Sequence, residues 1–236
     1  MEIRASTAQV VRSRLLMSHR IFIQARMSSA RFPGKMLAPF RGRPLITQVL
    51  ERFRETGLHS IVVVLTSLDP TDDPLADFVA SRCAVPVFRG ELENVAARFQ
   101  SALRKHPCDW FVRISGDSPW IDPLLVRAMM GFCDRDHDIV SNVVRRTFPA
   151  GQSVECIRSD VFQALDTAEL TPSQREHVTQ VFYDRPGEWR LRSVVCASPE
   201  WASIRMTVDH LDDLRALEAG PKGPASFGDL AKAELA

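Results

Sequence analysis

The chain has 236 residues and a mass of 26.5 kDa, room for one large domain, or one domain with a subdomain, at about 150 residues each. Hydrophobic residues make up 45% and charged residues 25%, a globular balance that excludes disorder and low-complexity character for the bulk of the chain. With 30 basic against 29 acidic residues the net charge is +1, so no overall field recruits nucleic acid or an anionic membrane, and an anionic ligand needs locally clustered Arg and Lys.

Residues 1–20 carry Arg4, Arg12, Arg14 and Arg20, which interrupt the only apolar pairs there. This excludes a secretory signal and reads as a short N-terminal extension before a main domain over 21–219. A strand is expected at 21–23, then a polar loop to Gly42. Pro44 opens a helix with Leu45, Ile46, Val49, Leu50 and Phe53 on one face. A β-branched strand follows at 61–65, a helix from Asp73, a strand at 85–88, a helix over 93–106 and a strand over 109–114. Asp122-Pro123 starts a helix to about Cys133, and Ile139-Val140 begins another strand. Beyond residue 150 the pattern predicts strands at 154–157, 191–195 and 204–208, and helices over 160–170, 173–183 and 211–217. The Gly-, Pro- and Ala-rich stretch 220–236 is expected to fray. No apolar run approaches the roughly 18 residues of a membrane span. The five cysteines are unpaired in spacing, at least 23 residues apart, which argues against a zinc knuckle or disulfide framework and for a reducing cytoplasm.

Strand and helix in alternation mean right-handed β-α-β units and a mainly parallel sheet. Ligands of such sheets sit beyond the carboxyl ends of the strands. Gln24 to Lys35 follows the first strand and offers Arg26, Arg31 and Lys35, two hydroxyls and a glycine. That chemistry suits a phosphate chain, although a solvated basic loop has the same composition, and neither a Walker loop nor G-x-G-x-x-G is present. Ser115-Gly116-Asp117-Ser118-Pro119 follows another strand. Its carboxylate suits a metal–phosphate complex, and the same letters also spell an ordinary turn. Asp209 either supplies a second carboxylate or caps the last helix.

Together, Q-A-R-x-x-S-x-R-x-P-G-K-x-L, V-x-x-T-S, V-F-R-G, I-x-G-D-x-P-x-I-D-P, S-N, R-E-H-V-T and T-V-D-x-x-x-D-L occur here in that order. The chain resembles the SpsF-like (spore-coat polysaccharide) cytidylyltransferases, relatives of the CMP-sialate and CMP-Kdo synthetases, from about Ile21 to Leu217. The resemblance implies a three-layer α/β, Rossmann-like nucleotidyltransferase fold. It implies transfer of CMP from CTP to a small-molecule acceptor such as a sugar acid, with Mg²⁺ as cofactor and pyrophosphate as leaving group. By the same resemblance Arg26, Arg31 and Lys35 hold the triphosphate, Ala25, Ser67 and Arg89 flank base and ribose, and Asp117 and Asp209 bind the metal. Asn142, Arg175 and His177 fall on the acceptor side. The region after residue 140 is expected to supply acceptor contacts and, in a homodimer, a subunit surface.

The chain departs from the family pattern at Ser118 (commonly Cys), Trp120 (commonly small and aliphatic), Ser153 (Asp) and Met206 (Trp). None is a triphosphate or metal position, so the departures bear on the acceptor. Trp120 has two readings, a pocket wall beside the acceptor or packing under the following helix. Arg145, Arg146 and Arg175 fit an anionic acceptor or a solvated turn. A GT-A-type glycosyltransferase is the rival enzyme, with Asp134-Arg135-Asp136 as its candidate Asp-x-Asp triplet. The motifs also leave room for transfer to a phosphorylated sugar, polyol or phosphonate, and for a catalytically silent homologue that only binds.

Overall fold

A single eight-stranded sheet organises the described part of the chain, which in the computed structural model comprises residues 17–185, 187–220, 223–224 and 226–234. Its strands are β1 (His19–Gln24), β4 (Val62–Ser67), β5 (Val87–Gly90), β6 (Trp110–Ser115), β7 (Ile139–Ser141), β8 (Glu155–Arg158), β9 (Leu191–Cys196) and β10 (Ala231–Ala233); β2 (Pro39–Phe40) and β3 (Arg43–Pro44) form a small separate hairpin. The order is β5-β4-β1-β6-β8-β7-β9-β10. β5, β4, β1 and β6 are mutually parallel, as are β7 and β9, while β8 and β10 run against their neighbours. The mainly parallel sheet expected from the sequence is therefore present.

The helices are α1 (Leu45–Glu55), α2 (Asp73–Phe78), α3 (Val95–Lys105), α4 (Pro123–Gly131), α5 (Ser159–Gln163), α6 (Pro172–Glu176), α7 (Gln180–Asp184) and α8 (Leu211–Glu218). Alternate residues of the central strands enter two cores, which makes three layers. Ile21, Ile23, Val64, Val112 and Ile114 pack with the apolar faces of α1, α4 and α8. Phe22, Val63, Leu65 and Phe111 point the other way, against α3, α5 and α7. On that side Phe22 stacks on Phe111 at 5.7 Å, and Phe111 meets Phe162 edge-on at 5.1 Å. Each fully buried side chain of this size contributes about 1.5–3 kcal/mol. Caps fix where the helices start: Asn94 accepts from the N–H of Ala97 at 2.9 Å, and Asp122 from that of Leu124 at 2.8 Å.

Several expectations need correction. β1 begins at His19, so the leader boundary falls inside a strand, and residues 1–16 lie outside the described residues. The helix expected over 160–170 is only α5, because Gln100 of α3 donates to the carbonyls of Phe162 (3.0 Å) and Leu165 (2.8 Å) and ends it. The helix expected over 173–183 breaks into α6 and α7 at Val178, which has φ +45° and a fully buried side chain. That backbone is strained for a β-branched residue. Residues 204–208 alternate in burial like a strand but gain no ladder, only an isolated bridge between Ala150 and Arg205. The C-terminal stretch is tied down where it is described, since β10 pairs with β9 and Asp122 accepts from the N–H of Phe227 at 2.6 Å.

Candidate active site

β1 is the strand from which the order runs in both directions, to β4 and β5 on one side and β6 on the other. A ligand crevice is expected at such a switch point. The pairing continues past β1 on both flanks, with the N–H of Ala25 donating to Leu65 at 3.0 Å and that of Gly116 to Gln24 at 2.8 Å. Gly116 suits this approach, because a Cβ there would lie a tight 3.0 Å from the Cβ of Ala25 and 3.1 Å from the carbonyl oxygen of Gln24. The close contact presents Asp117 beside the loop that follows β1.

That loop folds back on itself. The carbonyl of Met27 accepts from the N–H groups of Ser29 (2.9 Å) and Gly34 (2.8 Å), and Gly34 turns the chain at φ +76°. Lys35 is thereby sent inward. It is buried, and its Nζ donates to Asp117 Oδ2 at 2.9 Å and to the carbonyl of Val208 at 2.7 Å. Asp209 Oδ1 lies 4.0 Å from the same Nζ. The extended segment 204–208 delivers Asp209 without a strand: the N–H of Val208 donates to the Asp117 carbonyl at 2.9 Å, and that of Met206 to Ala150 at 2.7 Å. Asp213 then fixes the backbone, accepting from the N–H groups of Asp209 (2.9 Å) and His210 (2.8 Å). Burial would raise the Asp213 carboxyl, but these two bonds, with the nearby Arg205 and His210, leave it below its ordinary 3.8.

A cavity of about 320 Å³ opens over these groups. It gathers Ala25, Arg26, Arg31, Lys35, Asp117 and Asp209, six of the residues singled out in the sequence, together with Gln24, Arg113, Ser115 and Glu176. Arg31 donates to Asp209 at 2.5 Å, Arg205 pairs with its other oxygen, and Arg26 donates to Glu176 at 2.8 Å. Ser115 donates to Asp117 Oδ1 at 2.7 Å. Four cations thus face three carboxylates around the cavity, too even a balance to neutralise a triphosphate unaided. Among the described residues no cluster of three or more His, Cys, Asp or Glu surrounds a metal position. Two convergent carboxylates with phosphate oxygens completing the shell are the donor set magnesium favours, so the residues fit a hard divalent cation held jointly with a substrate.

A second cavity of about 610 Å³ is lined by Arg113, Arg146, Ser153, Glu155, His177 and Tyr183 among others. His177 is among its lining residues, beside the strained Val178. A third cavity, about 350 Å³, holds Arg175 with Arg26, Asn94 and Glu176. Arg175 also donates to the carbonyl of Ala168 at 2.5 Å.

Other residues lie elsewhere. Asn142 is buried, donating to Gln152 at 2.7 Å and accepting from Val154 at 2.8 Å, so its amide braces a loop and lines none of these cavities. Trp120 packs edge-on against Phe40 at 5.9 Å and donates to the carbonyl of Leu217 at 2.9 Å. The indole is therefore a core side chain, packed against β2 and the end of α8 and not under the helix that follows it, and it lines none of these cavities. Ser67 is buried with its hydroxyl and N–H on Asp72, and Arg89 braces the same turn by donating to the carbonyl of Ser67 at 2.8 Å. Neither lines the first cavity.

Sequence reasoning missed Asp72, Arg98 and Arg113. Asp72 is fully buried and accepts from the N–H groups of Met27 (2.6 Å) and Ser67 (2.9 Å), joining the loops after β1 and β4. Arg98, also fully buried, donates to the carbonyls of Glu91 at 2.7 Å and Leu92 at 3.1 Å and holds the loop after β5. Burial pulls its guanidinium down to about 10. For Arg113 there was a signal: a cation interrupts the apolar run Trp110-Phe111-Val112-Arg113-Ile114 near the strand's carboxyl end.

The cytidylyltransferase family model matches residues 21–216. The chain belongs to the cytidylyltransferase family. It is 27% identical over 222 residues to the spore coat polysaccharide biosynthesis protein SpsF of Bacillus subtilis, covering 90% of each chain. To the 3-deoxy-manno-octulosonate cytidylyltransferase of Agrobacterium fabrum it is 36% identical over 218 residues, 85% of this chain and 83% of that one. A solved cytidylyltransferase from Leptospira borgpetersenii superposes with a TM-score of 0.82 at 27% identity, over 91% of this chain and 92% of the other. Among the described residues no helix is long and apolar enough to cross a membrane.

Proposed function

We propose that this cytidylyltransferase moves CMP from CTP to a sugar acid, with Mg²⁺ as the divalent cation and pyrophosphate as the leaving group. The observation that carries the reading is the meeting of Lys35, Asp117 and Asp209 in a cation-rich cavity beside a second, larger one. Arg26, Arg31 and Lys35 bind the triphosphate, and Asp117 and Asp209 would hold the metal. When bound, the ion supplies charge neutralisation at the phosphates. The acceptor hydroxyl oxygen forms a bond to the α-phosphorus while the bond to the bridging oxygen breaks. The electron pair leaves on pyrophosphate, and the acceptor's proton passes to solvent. Such a transfer needs positioning and electrostatics more than covalent help from the protein.

The larger cavity presents Arg113 and Arg146 against one carboxylate, Glu155, which favours an anionic acceptor. A relative that acts on 3-deoxy-manno-octulosonate makes sugar acids the leading class. The glycosyltransferase reading loses its metal motif: Asp134 is buried in contact with His137 (2.7 Å) and Arg192 (3.0 Å), before the amino end of β7. Pyrophosphate release should be measured with CTP, Mg²⁺ and a panel of sugar acids, sugar phosphates, polyols and phosphonates. Release with sugar acids, weaker with the others and dependent on CTP over the other nucleoside triphosphates, is the expected result. Turnover only with a sugar phosphate, polyol or phosphonate would replace the acceptor, and nucleotide-sugar hydrolysis without CTP turnover would replace the reaction.

A further inference from the structure

Only one residue among those described lines both the nucleotide cavity and the larger cavity beside it, and it is Arg113. A transfer reaction proceeds where the two substrates meet, so this shared wall is where the α-phosphate and the acceptor oxygen must approach. Arg113 stands in β6 with its side chain on the face shared by Gln24 and Glu155. Its Nη1 donates to Glu155 Oε2 at 2.6 Å and its Nη2 to Gln24 Oε1 at 3.4 Å, while Nε has no acceptor. A guanidinium has five N–H groups in a planar fork; Nε is buried, so one N–H on each Nη remains for a ligand, and 22% of the side chain is exposed.

The fork is held from behind. Glu155 is almost fully buried, and its second oxygen accepts from the hydroxyl of Tyr183 at 2.6 Å. Burial, and then the negative charge of Glu155, push the Tyr183 phenol up, so it stays a donor. Its oxygen also lies 2.8 Å from Ser141 Oγ on β7. Three strands and α7 therefore fix the orientation of one cation. Three other cations of the nucleotide cavity are engaged toward that side, Arg26 with Glu176, Arg31 with Asp209 and Lys35 with Asp117. Arg113 alone faces both substrates.

Building on the proposed cytidylyl transfer, we infer that Arg113 determines acceptor specificity. It takes the acceptor's anionic group, carboxylate or phosphate, on the N–H groups that Glu155 and Gln24 leave free, and so sets the nucleophilic oxygen at the boundary with the α-phosphate. Glu155 and Tyr183 are positioning residues that act through it. A fork matches a carboxylate or phosphate in two-point geometry, which an ammonium cannot reproduce.

The test uses the full chain, CTP, Mg²⁺, sugar acids such as 3-deoxy-manno-octulosonate, their neutral counterparts with the carboxylate reduced to an alcohol, and sugar phosphates. Arg113→Ala strands a buried Glu155 and risks misfolding, so Arg113→Lys, which keeps the charge and loses the fork, is the main variant. Its acceptor KM should rise about 10-fold or more while the KM for CTP stays within about threefold, and its preference for the anionic over the neutral acceptor should shrink. Tyr183→Phe should move the acceptor KM in the same direction by less. Turnover confined to sugar acids, or to sugar phosphates, in the wild type identifies which anion is read. An unchanged anion preference in Arg113→Lys, equal shifts in both KM values, or a lowered Tm with no KM split would each overturn the inference. So would a protein that binds CTP yet releases no pyrophosphate with any anionic acceptor. Failure to bind CTP at all would instead remove the reading on which it rests.

Discussion

Lys35 Nζ lies 2.9 Å from Asp117, and the lysine side chain is only 9% exposed. A buried ammonium between carboxylates needs good geometry, because desolvating two charges can outweigh their attraction. Here the cation gains a second fixed acceptor, the carbonyl of Val208, and that bond draws Asp209 alongside. One lysine thus joins the loop after β1, the end of β6 and the segment before α8.

If Asp117 and Asp209 hold the metal, Asp117→Asn should abolish pyrophosphate release while leaving the fold in place. The amide oxygen can accept from Ser115 or from Lys35 but not both, and Lys35 keeps the carbonyl of Val208 beside Asp209, so some stability is lost while the chain still folds. Circular dichroism and thermal unfolding, read alongside activity across a magnesium titration, check this. Full activity in the variant would dismiss the metal role of Asp117.

Arg26 and Lys35 should differ although both line the same cavity. Arg26 pairs with Glu176 at a half-exposed site, so Arg26→Ala is expected to weaken CTP use about 10- to 150-fold with little change in stability. Lys35→Ala should weaken it as much and also lower stability by about 1–3 kcal/mol, since a partly buried carboxylate and a buried carbonyl lose their donor. Steady-state kinetics beside urea unfolding separates the two. Equal stability losses would show that the burial of Lys35 plays no part.

Trp120→Leu should cost stability and leave the acceptor profile alone. The indole loses its bond to Leu217 and its edge contact with Phe40, a large-to-small core change of about 2–5 kcal/mol. Thermal unfolding and the acceptor panel on the same variant decide the matter. A broadened acceptor range with unchanged Tm would return Trp120 to the pocket wall.

The mainly parallel sheet and six residues lining the cavity beyond β1 were legible because they depend on local signals: continuous apolar runs, helix caps, and cations or carboxylates placed after strand ends. What escaped depends on partners distant in sequence. Asp72 looks like an ordinary turn residue until Met27 and Ser67 converge on it. Met206 and Val208 alternate with exposed neighbours as in a strand, yet their backbone bonds go to Ala150 and Asp117 instead of a ladder. Helical spacing across 173–183 concealed the break at Val178, because burying that side chain overrides local propensity. Asn142 fits a binding motif by its letters, while its amide is consumed by the backbone of Gln152 and Val154.

Asp213 provides a pH-dependent check on the segment carrying Asp209. Its folded pKa lies below the ordinary 3.8, so its contribution is present above that value and is lost as pH falls through the folded one. Asp213→Ala should lower stability by about 1 kcal/mol at pH 7, and the gap to wild type should close in acid. Urea unfolding at descending pH measures it. A gap that stays constant into strong acid would mean that the carboxylate's charge is irrelevant to the cap.

The most direct test of cytidylyl transfer follows the phosphorus itself. The protein is incubated with Mg²⁺, a panel of sugar acids and CTP labelled at the α-phosphate, and the products are separated and weighed by mass spectrometry. The expected outcome is label in a CMP–sugar acid conjugate, formed in equal amount to the pyrophosphate released. Label recovered only as free CMP or CDP, or no conjugate with any sugar acid while CTP binds, would contradict it.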